Sequence, residues 1–183
     1  MLTKDQLRKK YIKLRKKKYF EVDKNFFYPL TNFIQKNKKN LRYLSIYYPS
    51  NHEVNTLKFF ETKKISKLKV LLPKIFKGNK MKFYIWNYLD PLKVNKYGML
   101  EPIKTSQDYA PSIILVPLLA FDKKKNRVGY GKGYYDRYLS KYLKKNKNII
   151  TIGVAFSFQK YHKLPFSSFD VKLNYILTEK GLS

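Results

Sequence analysis

Between Asn126 and Arg137 the chain reads Asn-Arg-Val-Gly-Tyr-Gly-Lys-Gly-Tyr-Tyr-Asp-Arg, with glycines at 129, 131 and 133. Glycine lacks Cβ, so the backbone can take positive φ and pass close to a ligand. A glycine-rich turn that feeds a helix presents free N–H groups and the positive end of a dipole, which suits phosphate oxygens. Arg127 and Lys132 add charge-assisted hydrogen bonds to the same anion. Asp136, in the first turn of the following helix, can hold the metal that accompanies a nucleotide, because magnesium takes only one or two carboxylates. The pattern is not a Walker loop, and its third glycine comes one residue too early for the dinucleotide motif. Three spaced glycines alone fit a tight turn over packed tyrosines equally well. The neighbouring Arg127, Lys132, Tyr134, Tyr135 and Asp136 tip the reading towards a site.

The elements that position this loop follow from periodicity. Thr3 and Gln6 form a capping box, and Leu7, Tyr11 and Leu14 recur at helical spacing, predicting a helix to about Tyr19. Lys4 and Arg8 lie one turn apart on that helix. A second helix is expected over Phe26–Gln35, a strand over Leu41–Tyr48, a helix over Glu53–Lys64, and strands at Val70–Leu72 and Met81–Trp86. Ile113–Val116, closed by Pro117, has the β-branched character of a central parallel strand. A polar segment spans Phe121–Gly133, and a helix runs from about Tyr134 to Leu143. Strands follow at Ile149–Ala155 and Tyr175–Leu177. This alternation predicts an α/β sandwich with a mostly parallel sheet, whose ligands gather at the carboxyl ends of the strands.

Composition narrows the class. With 183 residues, 44% hydrophobic, and neither repeat nor linker, the chain fits one domain over residues 1–183. No run suits a membrane span, and the amino-terminal residues lack a secretory h-region. The absence of cysteine excludes disulfide, thiolate and zinc–sulfur chemistry, and His52 and His162 stand too far apart to suggest a metal cluster. A cytoplasmic monomer is the expectation. The net charge of +28 invites a second reading, a basic module for single-stranded nucleic acid. The excess is nearly all lysine and is scattered, as in Lys16–Lys18, Lys63–Lys64 and Lys123–Lys125. A specific reader would favour arginine, so the charge reads chiefly as solvated surface that attracts anions.

The run from Val116-Pro117-Leu118-Leu119-Ala120-Phe121-Asp122 through Asn126–Arg137 resembles the signature of the 5-formyltetrahydrofolate cyclo-ligases. Lys4-Asp5-Gln6-Leu7-Arg8, Tyr47-Tyr48-Pro49 with Glu53 and Thr56, Gly98 to Glu101-Pro102, and Pro165, Asp170 and Thr178-Glu179 resemble further segments of that family in the same order. The resemblance implies a three-layer α/β/α sandwich and an ATP- and magnesium-dependent closure of 5-formyltetrahydrofolate to 5,10-methenyltetrahydrofolate. It implies ATP phosphates held by Lys4, Arg8, Arg127, Gly129, Gly131, Lys132, Gly133, Tyr134 and Tyr135, with Arg127 and Lys132 as the catalytic cations. Asp136 and Asp170 are then the magnesium contacts. Glu53 would accept from the pterin N–H groups, while Tyr48, Tyr130 and Tyr134 wall the flat ring; Trp86 either joins that wall or packs in the core, the more common place for such an aromatic. Partners would be small molecules, with no specific nucleic acid and no membrane.

Overall fold

The computed structural model describes residues 2–37, 41–62, 68–146 and 148–183. Helix α1 (Lys4–Lys18) begins at the predicted box: Gln6 N–H donates to Thr3 Oγ1, and Thr3 N–H donates to Gln6 Oε1 at 2.9 Å. The expected second helix divides into a 3-10 turn, Lys24–Phe27, and helix α2, Tyr28–Lys36, with Pro29 in its first turn. The stretch read as helical from Glu53 supplies a single 3-10 element, Thr56–Glu61. Its predicted end, at 63–64, lies outside the described residues.

The remaining elements are strands β1 (Tyr43–Ser45), β2 (Lys69–Phe76), β3 (Lys80–Ile85), β4 (Leu92–Val94), β5 (Leu100–Pro102), β6 (Ile113–Pro117), β7 (Ala120–Phe121) and β8 (Arg127–Val128). Helix α3 (Tyr134–Lys145) and strands β9 (Ile150–Val154), β10 (Tyr175–Thr178) and β11 (Gly181–Leu182) complete the chain. Seven strands form one sheet in the order β11-β10-β9-β6-β1-β2-β3. The pairs from β10 to β2 are parallel, and β3 and β11 close the two edges antiparallel.

The predicted strand ending before Pro73 instead continues to Phe76. Pairing with β1 stops at Ser45↔Leu71, so at Pro73 the strand has β3 as a partner on one side only, where a missing N–H is tolerated. The segment read as polar loop contains the β7–β8 hairpin, and β4–β5 forms a second hairpin that periodicity did not indicate.

Alternation along the strands builds two cores. Leu44, Val70, Leu72, Ile113 and Leu115 face Phe27, Leu30 and Ile34 on one side of the sheet. Leu71, Ile114, Val116 and Ile176 face Tyr138 and Leu139 of α3 on the other. Each such fully buried aliphatic contributes roughly 1.5–3 kcal/mol relative to exposure. The result is the expected three-layer α/β/α sandwich. Leu7 and Tyr11 of α1 pack on Leu119, Ala120 and Val128, fixing α1 against the β7–β8 hairpin.

Strand order reverses between β1 and β6: from β1 the chain adds β2 and β3 one way, and from β6 it adds β9 and β10 the other. The carboxyl ends of β1 and β6 therefore open a crevice at the point where such sheets bind ligands. Glu53 follows the first strand and the glycine loop follows the second.

Candidate active site

A cleft of about 1050 Å³ occupies this crevice. Its walls come from α1 (Lys4, Arg8), the segment after β1 (Tyr47, Tyr48, Glu53), the β4–β5 hairpin (Tyr97, Met99, Glu101), the glycine loop, the start of α3, and the turn at Ser167–Asp170. Segments far apart in sequence thus converge on one space.

The glycine loop takes the shape its composition predicts. Gly131 has φ +93°, and Gly133 caps α3 in the left-handed region at φ +65°. Arg8 lies against the loop: its Nε donates to the Gly129 carbonyl at 3.0 Å, and a Cβ on Gly131 would stand 3.2 Å from Arg8 Cζ. Arg8 also pairs with Asp5. Lys132 is exposed, with Nζ 5.4 Å from the centre of the Tyr97 ring. The Tyr134 hydroxyl donates to that of Tyr97 at 3.3 Å, so the hairpin and the loop close one end of the cleft.

The acidic residues are held by cations. Arg127 is buried, and its guanidinium donates from Nη2 to Asp136 Oδ1 at 2.6 Å and from Nη1 to the Val171 carbonyl. Burial pushes the Arg127 pKa down and Asp136 opposes the shift. These bonds make Arg127 a brace between β8, α3 and the Asp170 turn as well as a lining residue. Lys4 Nζ donates to Asp170 Oδ1 at 2.6 Å, and Ser167 donates to Asp170 Oδ2 from both N–H and hydroxyl. Asp136 accepts on Oδ1 from both Arg127 and the Val171 amide. Among the described residues no three His, Cys, Asp or Glu side chains gather as a metal cage. Asp136 and Asp170 both line the cleft, and a pair of carboxylates suits a hard, oxygen-seeking ion that keeps waters and phosphates as its other ligands.

At the other end Glu53 is 7% exposed. Its Oε1 accepts from the Tyr130 hydroxyl at 2.6 Å, and Oε2 accepts from Ser50 N–H at 2.9 Å. Burial pushes its pKa up, while Arg15, Tyr130 and Ser50 work against the rise. Burial also raises the phenol pKa values of Tyr130 and Tyr135, and the Tyr135 hydroxyl is buried without a hydrogen-bond partner among the described residues. Tyr48 and Tyr134 line the cleft as expected.

Trp86 does not. It lies in the core beside Tyr48 and Phe60, and its indole N–H donates to the Asp90 carbonyl at 3.0 Å. An aromatic ending a strand can face the ligand or the core, and here packing under the sheet takes it. Sequence reasoning also missed Arg15, 1% exposed, which donates to the Tyr130 hydroxyl and to the Asn51 carbonyl. The signal was present: an arginine among the lysines of α1, on the face that carries Leu7 and Tyr11.

A sequence model described as the 5-formyltetrahydrofolate cyclo-ligase family matches residues 3–179. The chain is 34% identical over 149 residues to the 5-formyltetrahydrofolate cyclo-ligase of Haemophilus influenzae, covering 78% of this chain and 77% of that one. It is 30% identical over 144 residues to the same enzyme of Mycoplasma pneumoniae, covering 78% and 76%. The solved 5,10-methenyltetrahydrofolate synthetase of Aquifex aeolicus superposes with a TM-score of 0.75 at 29% identity, over 99% of this chain and 92% of that one. The Mycoplasma pneumoniae synthetase gives 0.72 at 26%, over 96% and 98%. A crevice built at the strand-order reversal, the glycine loop feeding α3 and likeness along nearly the whole chain agree: the protein is an enzyme that belongs to the 5-formyltetrahydrofolate cyclo-ligase family.

Proposed function

We propose that this enzyme closes 5-formyltetrahydrofolate to 5,10-methenyltetrahydrofolate, with ATP as co-substrate and magnesium as its metal, releasing ADP and phosphate. The observation that carries the reading is what the cleft brings together. It joins a buried carboxylate, Glu53, to a glycine loop flanked by Lys4, Arg8 and Lys132, and Tyr130 of that loop donates to Glu53 at 2.6 Å.

A formamide is a weak electrophile because its nitrogen donates into the carbonyl, and its oxygen is a poor leaving group. Transfer of the γ-phosphoryl group to the formyl oxygen cures both faults. N10 then attacks the formyl carbon, the C–O bond breaks, phosphate departs with the former formyl oxygen, and the N10 proton is lost as the ring closes. Catalysis of such a transfer is mainly alignment and charge neutralisation. Lys132 and the loop amides of Gly129, Gly131 and Gly133 neutralise the moving group, and Lys4 and Arg8 hold the remaining phosphates. Arg127 fixes Asp136 and the loop's exit into α3. Magnesium held by Asp136 and Asp170, partly through water, would offset charge on the β- and γ-phosphates. Glu53 accepts from the pterin N–H groups, between the rings of Tyr48, Tyr130 and Tyr134. Tyr135, whose buried hydroxyl has no hydrogen-bond partner among the described residues, is the spare donor for a bound oxygen.

The test follows the absorbance of the methenyl product from 5-formyltetrahydrofolate and purified enzyme. Product should form only when ATP and magnesium are both present. No product with all components, or equal product without nucleotide, would overturn the reading.

A further inference from the structure

Arg15 has no part in the chemistry described so far, yet its surroundings are unusual. Arginine is almost never fully buried unless paired. Its Nη2 donates to the Asn51 carbonyl at 2.7 Å and to the Tyr130 hydroxyl, its Nη1 to the Leu118 carbonyl at 3.4 Å, and Cζ lies 5.5 Å from the Tyr130 ring centre. A guanidinium has donors only and stays charged, and an ionised carboxylate has acceptors only. The hydroxyl between Arg15 and Glu53 can therefore point its proton in one direction, to Glu53 Oε1.

We propose that Arg15 is a positioning residue of the folate end of the cleft: it orients the Tyr130 hydroxyl and balances the Glu53 charge, so that the carboxylate is ionised and aimed before substrate arrives. The inference rests on the reading of Glu53 as the pterin acceptor. Arg15 acts through Tyr130 and not on the substrate. Because Tyr130 sits between Gly129 and Gly131, which Arg8 braces, the two arginines of α1 hold the phosphate loop and the folate carboxylate in one frame.

Beside Ser50, the titratable or charged groups that face Glu53 among the described residues are Arg15 from α1, Tyr130 from the glycine loop, Tyr47 from the segment after β1 and Tyr135 from α3. Burial raises all three phenols, so they stay protonated near neutrality and Arg15 is the charged neighbour. Burial pushes Glu53 up, and Arg15 is the strongest influence holding it down. Without that cation the carboxylate protonates at higher pH and loses its role as an acceptor of two N–H donors.

The experiment measures 5-formyltetrahydrofolate affinity without ATP, and ATP affinity separately, across about pH 6–9. The proteins are the wild type, Arg15→Gln, Arg15→Lys and Glu53→Gln, each checked for a cooperative thermal transition. Arg15→Gln should bind folate about tenfold more weakly for each pH unit below the shifted Glu53 value and recover in alkali. Arg15→Lys keeps the charge but cannot span Asn51 and Tyr130 together, so its folate binding should be weaker with the flat profile of the wild type. ATP affinity should hold in both. A flat, wild-type-like profile in Arg15→Gln, or weakening by one factor at every pH, would overturn the proposal. Should Arg15→Gln not fold, Arg15→Lys decides: weakened folate binding supports the proposal, and wild-type folate affinity overturns it. Wild-type folate affinity in Glu53→Gln would instead sink the underlying reading of Glu53, whatever Arg15 does.

Discussion

Asp136 Oδ1 accepts from Arg127 Nη2 at 2.6 Å, and the same oxygen accepts the Val171 amide at 3.2 Å. One carboxylate oxygen thus joins β8, α3 and the turn that carries Asp170. Asp136→Asn keeps an oxygen but removes the charge facing a buried guanidinium. It should lower kcat by at least about tenfold, on the scale of losses at metal-site carboxylates, and cost about 1–3 kcal/mol of stability. Steady-state kinetics in saturating magnesium and thermal unfolding measure the two effects. Near-normal turnover would remove Asp136 from the phosphate end.

Lys132 is exposed over the Tyr97 ring and makes no ion pair among the described residues, so it is available to an anion. Lys132→Ala should lower kcat by roughly 10²–10³, as loss of one donor to developing charge does, with little change in folate KM. A raised folate KM at unchanged kcat would place Lys132 at the wrong end of the cleft.

Gly131 combines φ +93° with the Arg8 guanidinium packed over it. In Gly131→Ala the new methyl both strains the backbone and pushes Arg8 from the Gly129 carbonyl. A loss of about 1 kcal/mol in stability is expected, with a several-fold rise in ATP KM and folate affinity preserved. An ATP KM equal to wild type would show that the loop's shape does not matter to nucleotide.

These positions differ in how readable they were. The glycine loop, its helix and the β-branched β6 announced themselves because local composition and local structure coincide there. The capping box at Thr3 and Gln6 did so for the same reason. Three-residue strands such as Leu92–Val94 and Leu100–Pro102 are too short for a period, and only pairing with each other defines them. The burial of Trp86, for which the sequence leaves both cleft and core open, and of Arg15 is decided by the sheet and by Tyr130, distant in sequence. From its position beside the glycines Arg127 reads as a free cation, but its guanidinium is engaged by Asp136 and the Val171 carbonyl, which lie 9 and 44 residues further along the chain. The scattered lysines were expected at the surface. Lys74 is an exception, buried with Nζ on the Pro102 carbonyl at 3.0 Å.

The Lys4–Asp170 pair predicts an acid-side dependence. Burial pushes Asp170 up, but hydrogen bonds from Lys4 and Ser167 outweigh it and hold the carboxyl below its ordinary value of 3.8. A group lowered on folding adds stability above its unfolded pKa, and that contribution is lost as pH falls through the folded value. Asp170→Asn should therefore unfold more easily than wild type at neutral pH, by up to about 1 kcal/mol for a partly exposed pair. The difference should shrink below about pH 4. Parallel melting curves at every pH would contradict this.

The central claim is that the formyl oxygen itself receives the phosphoryl group, and oxygen labelling tests it most directly. 5-Formyltetrahydrofolate carrying ¹⁸O in the formyl group is turned over once with enzyme, ATP and magnesium, and the released phosphate is analysed by mass. The account predicts one ¹⁸O in each inorganic phosphate released. Unlabelled phosphate, with the label lost to water, would contradict it.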